Sequence, residues 1–171
     1  ADGKMITLHI GTSPLIGKTI VIDAGHGGYK TSQNIDVGAV GASGLQESDI
    51  TLDITLKTQK KLMDAGAKVI LTRNGYSYLT LEERAWVSNV NNADIFLSIH
   101  VNSFTSSAAK GASTWIYAPA DNSRYNRAER LRLAECLQNQ IVAQTGLSNY
   151  GIREDRFVVI RESLMPSALI E

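Results

Sequence analysis

Cysteine, histidine and net charge are all scarce in this sequence. The one cysteine, Cys136, cannot close an intramolecular disulfide. A chain of 171 residues can bury enough surface to fold without such staples, so the cysteine count leaves the cellular compartment open. Lysine plus arginine number 17 and so do aspartate plus glutamate, a balance that excludes a dominant attraction to nucleic acid but not a local charged cleft. No apolar run is long enough to span a bilayer. The start, Ala1 to Ile10, lacks the basic residues and continuous apolar stretch of a signal peptide. Residues 1–16 read as an N-terminal extension or linker, with a short added strand over 5–10 as one form of it. HExxH and CxxC spacings, internal repeats and low-complexity segments are all missing.

What remains is the pattern of one globular domain over residues 17–171, with 43% hydrophobic residues to build its core. Lys18 to Asp23 is a β-branched run that breaks into the glycine-rich Ala24-Gly-His-Gly-Gly28, a strand followed by a tight loop. Further strands are expected over 67–72, 94–100 and 112–117, with short ones over 157–160 and 168–170. Helical periodicity covers Ser48 to Ala65, stopped at Gly66, and Arg124 to Gln144, ending near Gly146. Thr80 and Glu83 form a capping-box pattern that starts a helix running to about Asn92. Cys136 falls inside the last helical pattern and reads as a small buried hydrophobe. Strands alternating with helices predict an α/β fold, a single twisted sheet, mostly parallel or mixed, flanked by helices.

In such sheets chemistry gathers beyond the carboxyl ends of the strands. Two of the three histidines, His26 and His100, stand there. Imidazoles at neighbouring strand ends can converge on one ion, and a loop carboxylate would complete a His₂Glu set with a vacant place for water. Position alone leaves a structural histidine and a metal ligand both open. His9 lies in an alternating N-terminal segment and reads as a plain strand residue. Asp23 is open as a hydrogen-bond partner that orients His26 or as a strand-end turn residue. Arg73 and Arg84 read as ion pairs tying a strand end or helix to its neighbours, in preference to substrate contacts. Asn102 either bonds substrate or braces the loop after His100.

Four motifs occur in order: Asp23-Ala-Gly-His-Gly-Gly28, Gly44-Leu-Gln-Glu-Ser-Asp49, Ser98-Ile-His-Val-Asn102 and Met165-Pro-Ser-Ala-Leu-Ile-Glu171. Leu71-Thr-Arg73 and Leu81-Glu-Glu-Arg84 fall between them. This order resembles the zinc-dependent N-acetylmuramoyl-L-alanine amidases of the amidase-3 type, over nearly the whole chain from Gly17 onward. The resemblance implies an enzyme that cuts the amide between N-acetylmuramic acid and L-alanine in bacterial peptidoglycan. It implies zinc (Zn²⁺) as cofactor, held by His26, Glu47 and His100, and Glu171 as the catalytic glutamate. Asp49 competes with Glu47 as ligand but fits better as a first-turn helix acid. The family continues past its glutamate where this sequence stops, which reads either as a shortened chain or as absent C-terminal support. Peptidoglycan is the expected partner, with no nucleic acid and no membrane span, in a monomer that is secreted to the cell wall or periplasm. An appended wall-binding domain or an activator in the parent protein stays open. So do two other readings, a zinc peptidase cutting a different bond and a catalytically silent wall-binding or regulatory module.

Overall fold

β-Branched and apolar residues fill the centre of the molecule, where strands are covered on both faces. A computed structural model describes residues 13–31, 34–101 and 110–171 of the chain. Its sheet has six strands: β1 (Thr19–Ala24), β4 (Lys68–Leu71), β5 (Ile95–Ile99), β6 (Gly111–Ile116), β7 (Ser148–Glu154) and β8 (Ser167–Ile170). They lie in the order β4-β1-β5-β8-β6-β7. The first four run parallel, β6 meets β8 antiparallel, and β7 is parallel to β6. The sheet is therefore mixed. A small antiparallel pair, β2 (Tyr29–Thr31) and β3 (Asn34–Ile35), leads out of the first glycine-rich loop.

Alternation along the central strands sends side chains to two faces. Val21, Phe96 and Leu169 pack together with Val159 and Ile160, while Ile20, Ile22 and Ile99 form a separate cluster on which Leu62 rests. Leu15 joins that second cluster, and its amide donates to Ala65 O at 3.2 Å, so packing reaches back before residue 17. Burying one such apolar side chain is worth about 1.5–3 kcal/mol.

Helices α1 (Glu47–Asp64), α2 (Leu81–Val90) and α3 (Arg127–Thr145) flank the sheet. The capping box of α2 forms as expected, with Glu83 N donating to Thr80 Oγ1 at 3.2 Å and Thr80 N to Glu83 Oε2 at 2.7 Å. Gly146 ends α3 in the left-handed conformation, φ 69°.

Several expectations are corrected. The run Phe157 to Ile160 is not a strand: Val158–Arg161 is a four-residue helix, α4, whose apolar character serves burial of Val159 and Ile160. Strand β7 went unread, because it is an edge strand interrupted by Gly151 at φ 79° and carrying exposed Arg153 and Glu154. Cys136 is exposed. The buried stripe of α3 is Arg130, Ala134 and Gln138, a spacing of four, and Cys136 sits two residues off it on the outer side. His9, the N-terminal strand and Asn102 lie outside the described residues.

Candidate metal centre

Parallel pairing puts the carboxyl ends of β1, β5 and β8 on one edge. Register aligns Ala24 with Ile99 and Ile99 with Ile170. The residues just past those ends are therefore stitched side by side: Gly25 N donates to Ile99 O, and His100 N to Ile170 O, each at 2.9 Å. His26, His100 and Glu171 reach the same edge from three adjacent strands. Glu47 comes from the side, as the first residue of α1. Asp49 is in the first turn of that helix, where its carboxylate accepts a long bond from Tyr76, at 3.4 Å.

His26, Glu47 and His100 offer ligand atoms that all lie within 4.8 Å of one another. His26 Nε2 is 3.2 Å from Glu47 Oε2, and His100 Nδ1 is 3.2 Å from Glu47 Oε1. A tetrahedral ion with bonds of about 2.0–2.1 Å spaces its donors by roughly 3.3 Å. The donor set and the two 3.2 Å spacings about Glu47 fit zinc. The two imidazole rings meet edge to face at 4.9 Å between centroids.

Two of the three donors, His26 and Glu47, are oriented by a further carboxylate or by backbone amides. Asp36 Oδ1 lies 2.8 Å from His26 Nδ1, which leaves Nε2 facing the cluster. Ala39 N and Val101 N donate to the two oxygens of Glu47, both at 2.9 Å. Burial works against the Glu47 carboxylate. Hydrogen bonds from His100, His26 and these two amides outweigh burial and hold its pKa well below the ordinary value. The bond with Glu47 raises the pKa of His26, burial opposes it, and Asp36 adds to the rise.

Glycine is required at two places here by close approach. A Cβ on Gly25 would stand 2.5 Å from the His100 ring, and one on Gly38 would stand 2.6 Å from His26 and 2.7 Å from Glu47. Asp23 does not orient His26. It is fully buried and accepts from Arg84, Thr72 and Ser98, and that histidine-orienting role belongs to Asp36. Asp36 was missed because it is ten residues from His26 with no motif spacing to mark it; the return of the chain, Asp36 N donating to Gly28 O and Gly27 N to Asp36 O, brings it in. Arg84 makes the expected ion pair, with Asp23 at 2.8 Å, whereas Arg73 pairs with carbonyls instead. Arg161 and Glu162 pair with each other at 2.8 Å.

Glu171 and His100 line a cavity of about 570 Å³ between α1 and α3, walled by Ile54, Leu137, Ile141 and Ile170. The backbone of Glu171 is tied to Ser113 in both directions at 2.9 Å, yet its Oε2 is buried without a hydrogen-bond partner among the described residues. Burial pushes its pKa above the ordinary carboxylate value, with Glu47 adding and the histidines opposing.

A mixed α/β sheet that delivers two imidazoles and a carboxylate to one edge, beside a further buried carboxylate, has the donor pattern of hydrolytic zinc sites. Similarity to known proteins narrows that class. Residues 20–171 match the sequence profile of the family described as N-acetylmuramoyl-L-alanine amidase, and the chain belongs to that family. It is 42% identical to the YqiI protein of Bacillus subtilis over 158 residues, 92% of this chain and 70% of that one. To the N-acetylmuramoyl-L-alanine amidase LytC of Bacillus subtilis it is 37% identical over 159 residues, covering 93% of this chain but only 30% of LytC. Among solved structures, the catalytic domain of CwlV, the amidase from Bacillus (Paenibacillus) polymyxa var. colistinus, superposes with a TM-score of 0.77 at 36% identity. That superposition covers 90% of this chain and 79% of CwlV.

Proposed function

We propose that this chain hydrolyses the amide between the lactyl group of N-acetylmuramic acid and the L-alanine of the stem peptide, with zinc bound by His26, Glu47 and His100. The observation that carries the reading is the convergence of those three donors beside Glu171, whose buried Oε2 has no hydrogen-bond partner among the described residues.

An amide is a weak electrophile with a poor leaving group, so the site must act at both ends of the bond. Zinc supplies Lewis-acid polarisation of the scissile carbonyl and counter-charge for the oxyanion. Glu171 Oε2 takes the proton of the attacking water and delivers it to the departing alanine nitrogen. A pKa raised by burial suits both halves of that duty, because the carboxyl group must accept and then release one proton near neutral pH. Asp36 keeps His26 in the tautomer that turns Nε2 toward the ion, and the amides of Ala39 and Val101 keep Glu47 ionised. Ile54, Leu137 and Ile141 give the cavity an apolar wall that limits competing water.

Peptidoglycan lies outside the cell membrane, which places the working protein in the cell wall or periplasm. Among the described residues no helix is long and apolar enough to cross a membrane. Digestion of purified peptidoglycan, followed by mass spectrometry, is expected to release peptides with free N-terminal L-alanine, and metal analysis is expected to give one zinc per chain. Release of muropeptides cut elsewhere, or a chain purified without chelator that carries no zinc, overturns the reading.

A further inference from the structure

Arg73 follows β4 and is 3% exposed, yet among the described residues no carboxylate is one of its hydrogen-bond partners. The acceptors of its guanidinium there are all neutral oxygens. Nε donates to Ala24 O at 2.9 Å and Nη1 to Gly75 O at 2.9 Å. Nη2 reaches three oxygens at once: Gly25 O at 2.9 Å, Ser48 O at 2.8 Å and Thr51 Oγ1 at 3.1 Å. Gly25 precedes His26, and Ser48 follows Glu47. One nitrogen therefore grips the backbone next to two of the three proposed ligands.

These two segments have reason to drift apart. His26 is held at φ 59°, a left-handed conformation that is strained for a non-glycine residue. The close approach of His26 and His100 to Glu47 rests on hydrogen bonds that water could replace. Thr51 Oγ1 also donates to Gly25 O, at 2.8 Å, so α1 itself is fastened to the loop of His26 through the same carbonyl. Only arginine offers donors on a planar fork wide enough to hold four carbonyls; a lysine ammonium in its place meets one or two.

We propose that Arg73 is a positioning residue for the metal site: by bridging Gly25 O and Ser48 O it fixes the span between His26 and Glu47 and so sets the affinity for zinc. The inference rests on the zinc reading given above. Arg130 provides the matched comparison, because it too is buried with four carbonyl partners and one hydroxyl partner, but on residues 117, 160, 163, 165 and 167, away from the three donors.

The test is zinc affinity of the whole chain, measured by competition with a chromophoric chelator, alongside thermal melting of the metal-free protein. Arg73→Lys is expected to weaken zinc binding by about 10–100-fold. Arg130→Lys is expected to lower the melting temperature while leaving zinc affinity within about twofold. Thr51→Val, which removes one donor to Gly25 O without changing volume, is expected to weaken binding about threefold, and it keeps the question answerable if Arg73→Lys does not fold. Equal zinc affinity in parent, Arg73→Lys and Thr51→Val overturns the proposal alone. Equal losses of affinity in Arg73→Lys and Arg130→Lys overturn it too, since the effect is then general destabilisation. A parent chain that binds no zinc overturns the metal reading, and this inference falls with it.

Discussion

The proposed ligands and the proposed base are held in opposite ways. His26 is fixed through its ring by Asp36 and through its carbonyl by Arg84, at 2.8 and 2.9 Å. Glu47 is fixed through both carboxylate oxygens by amides of two different segments. Glu171, by contrast, is anchored by its backbone, paired with Ser113, and among the described residues its Oε2 has no hydrogen-bond partner. The buried arginines repeat the contrast at longer range. Arg73 touches the residue beside His26 and the residue beside Glu47, whereas Arg130 holds Ser167, four residues before Glu171 at the far end of β8. Metal donors must be organised before the ion arrives, because each degree of freedom lost on binding weakens it. A proton carrier must instead keep one oxygen uncommitted and reach two atoms in turn. The molecule invests its polar contacts accordingly.

Breaking the ligand side has the largest expected effect. His100→Ala removes a donor and leaves Glu47 Oε1 without its imidazole neighbour, so bound zinc and hydrolysis should both fall below detection by metal analysis and peptidoglycan assay. In the parent, chelation should lower the melting temperature, since an ion bound only to the folded state stabilises it. That shift should vanish in His100→Ala. On the other side, Glu171→Gln should keep stoichiometric zinc and the parental melt while hydrolysis slows by about 10²–10⁴-fold. A glutamine variant that binds zinc and digests peptidoglycan at the parental rate would remove Glu171 from the mechanism.

The same contrast decided what could be read from the sequence. His26 and His100 were legible because a histidine directly past a β-branched strand has few structural duties, and the parallel sheet then carried both to one edge. Glu47 has no such local mark; it entered only through the ordered motifs, since nothing short-range says that the first residue of a helix faces a loop 21 residues earlier. The contacts that orient the donors were invisible for the same reason. Asp36 N returns to Gly28 O, and Val101 N reaches Glu47 across 54 residues, both products of tertiary folding. The misread Val158–Arg161 shows the reverse failure, in which burial selects β-branched residues that local propensity assigns to a strand. Periodicity located α3 but not its buried stripe, which holds Arg130, Ala134 and Gln138 and leaves outside it Cys136, read from the sequence as a buried hydrophobe.

Two smaller effects sharpen the comparison. Asp36→Asn keeps a hydrogen-bonding group beside His26 Nδ1 but loses the charge that strengthens the ring as a donor. Zinc affinity should drop by about 10–100-fold, and excess zinc should restore hydrolysis. An unchanged affinity would mean that the ring is held by its packing alone.

The smallest effect is expected where Glu171 is anchored. Ser113 meets it through N–H and carbonyl, and the serine side chain serves elsewhere, accepting from Trp115 Nε1 at 3.0 Å. Ser113→Ala therefore leaves both ties to Glu171 in place and removes only the tryptophan bond, worth about 0.5–1.5 kcal/mol. The melting temperature should fall by a few degrees, roughly 2–4 °C for a domain of this size. Hydrolysis below the melt should stay within about twofold of the parent, because the bonds that position the base do not pass through the side chain. A large loss of rate with zinc retained would show that Ser113 Oγ, and not the strand backbone, sets where the carboxylate stands.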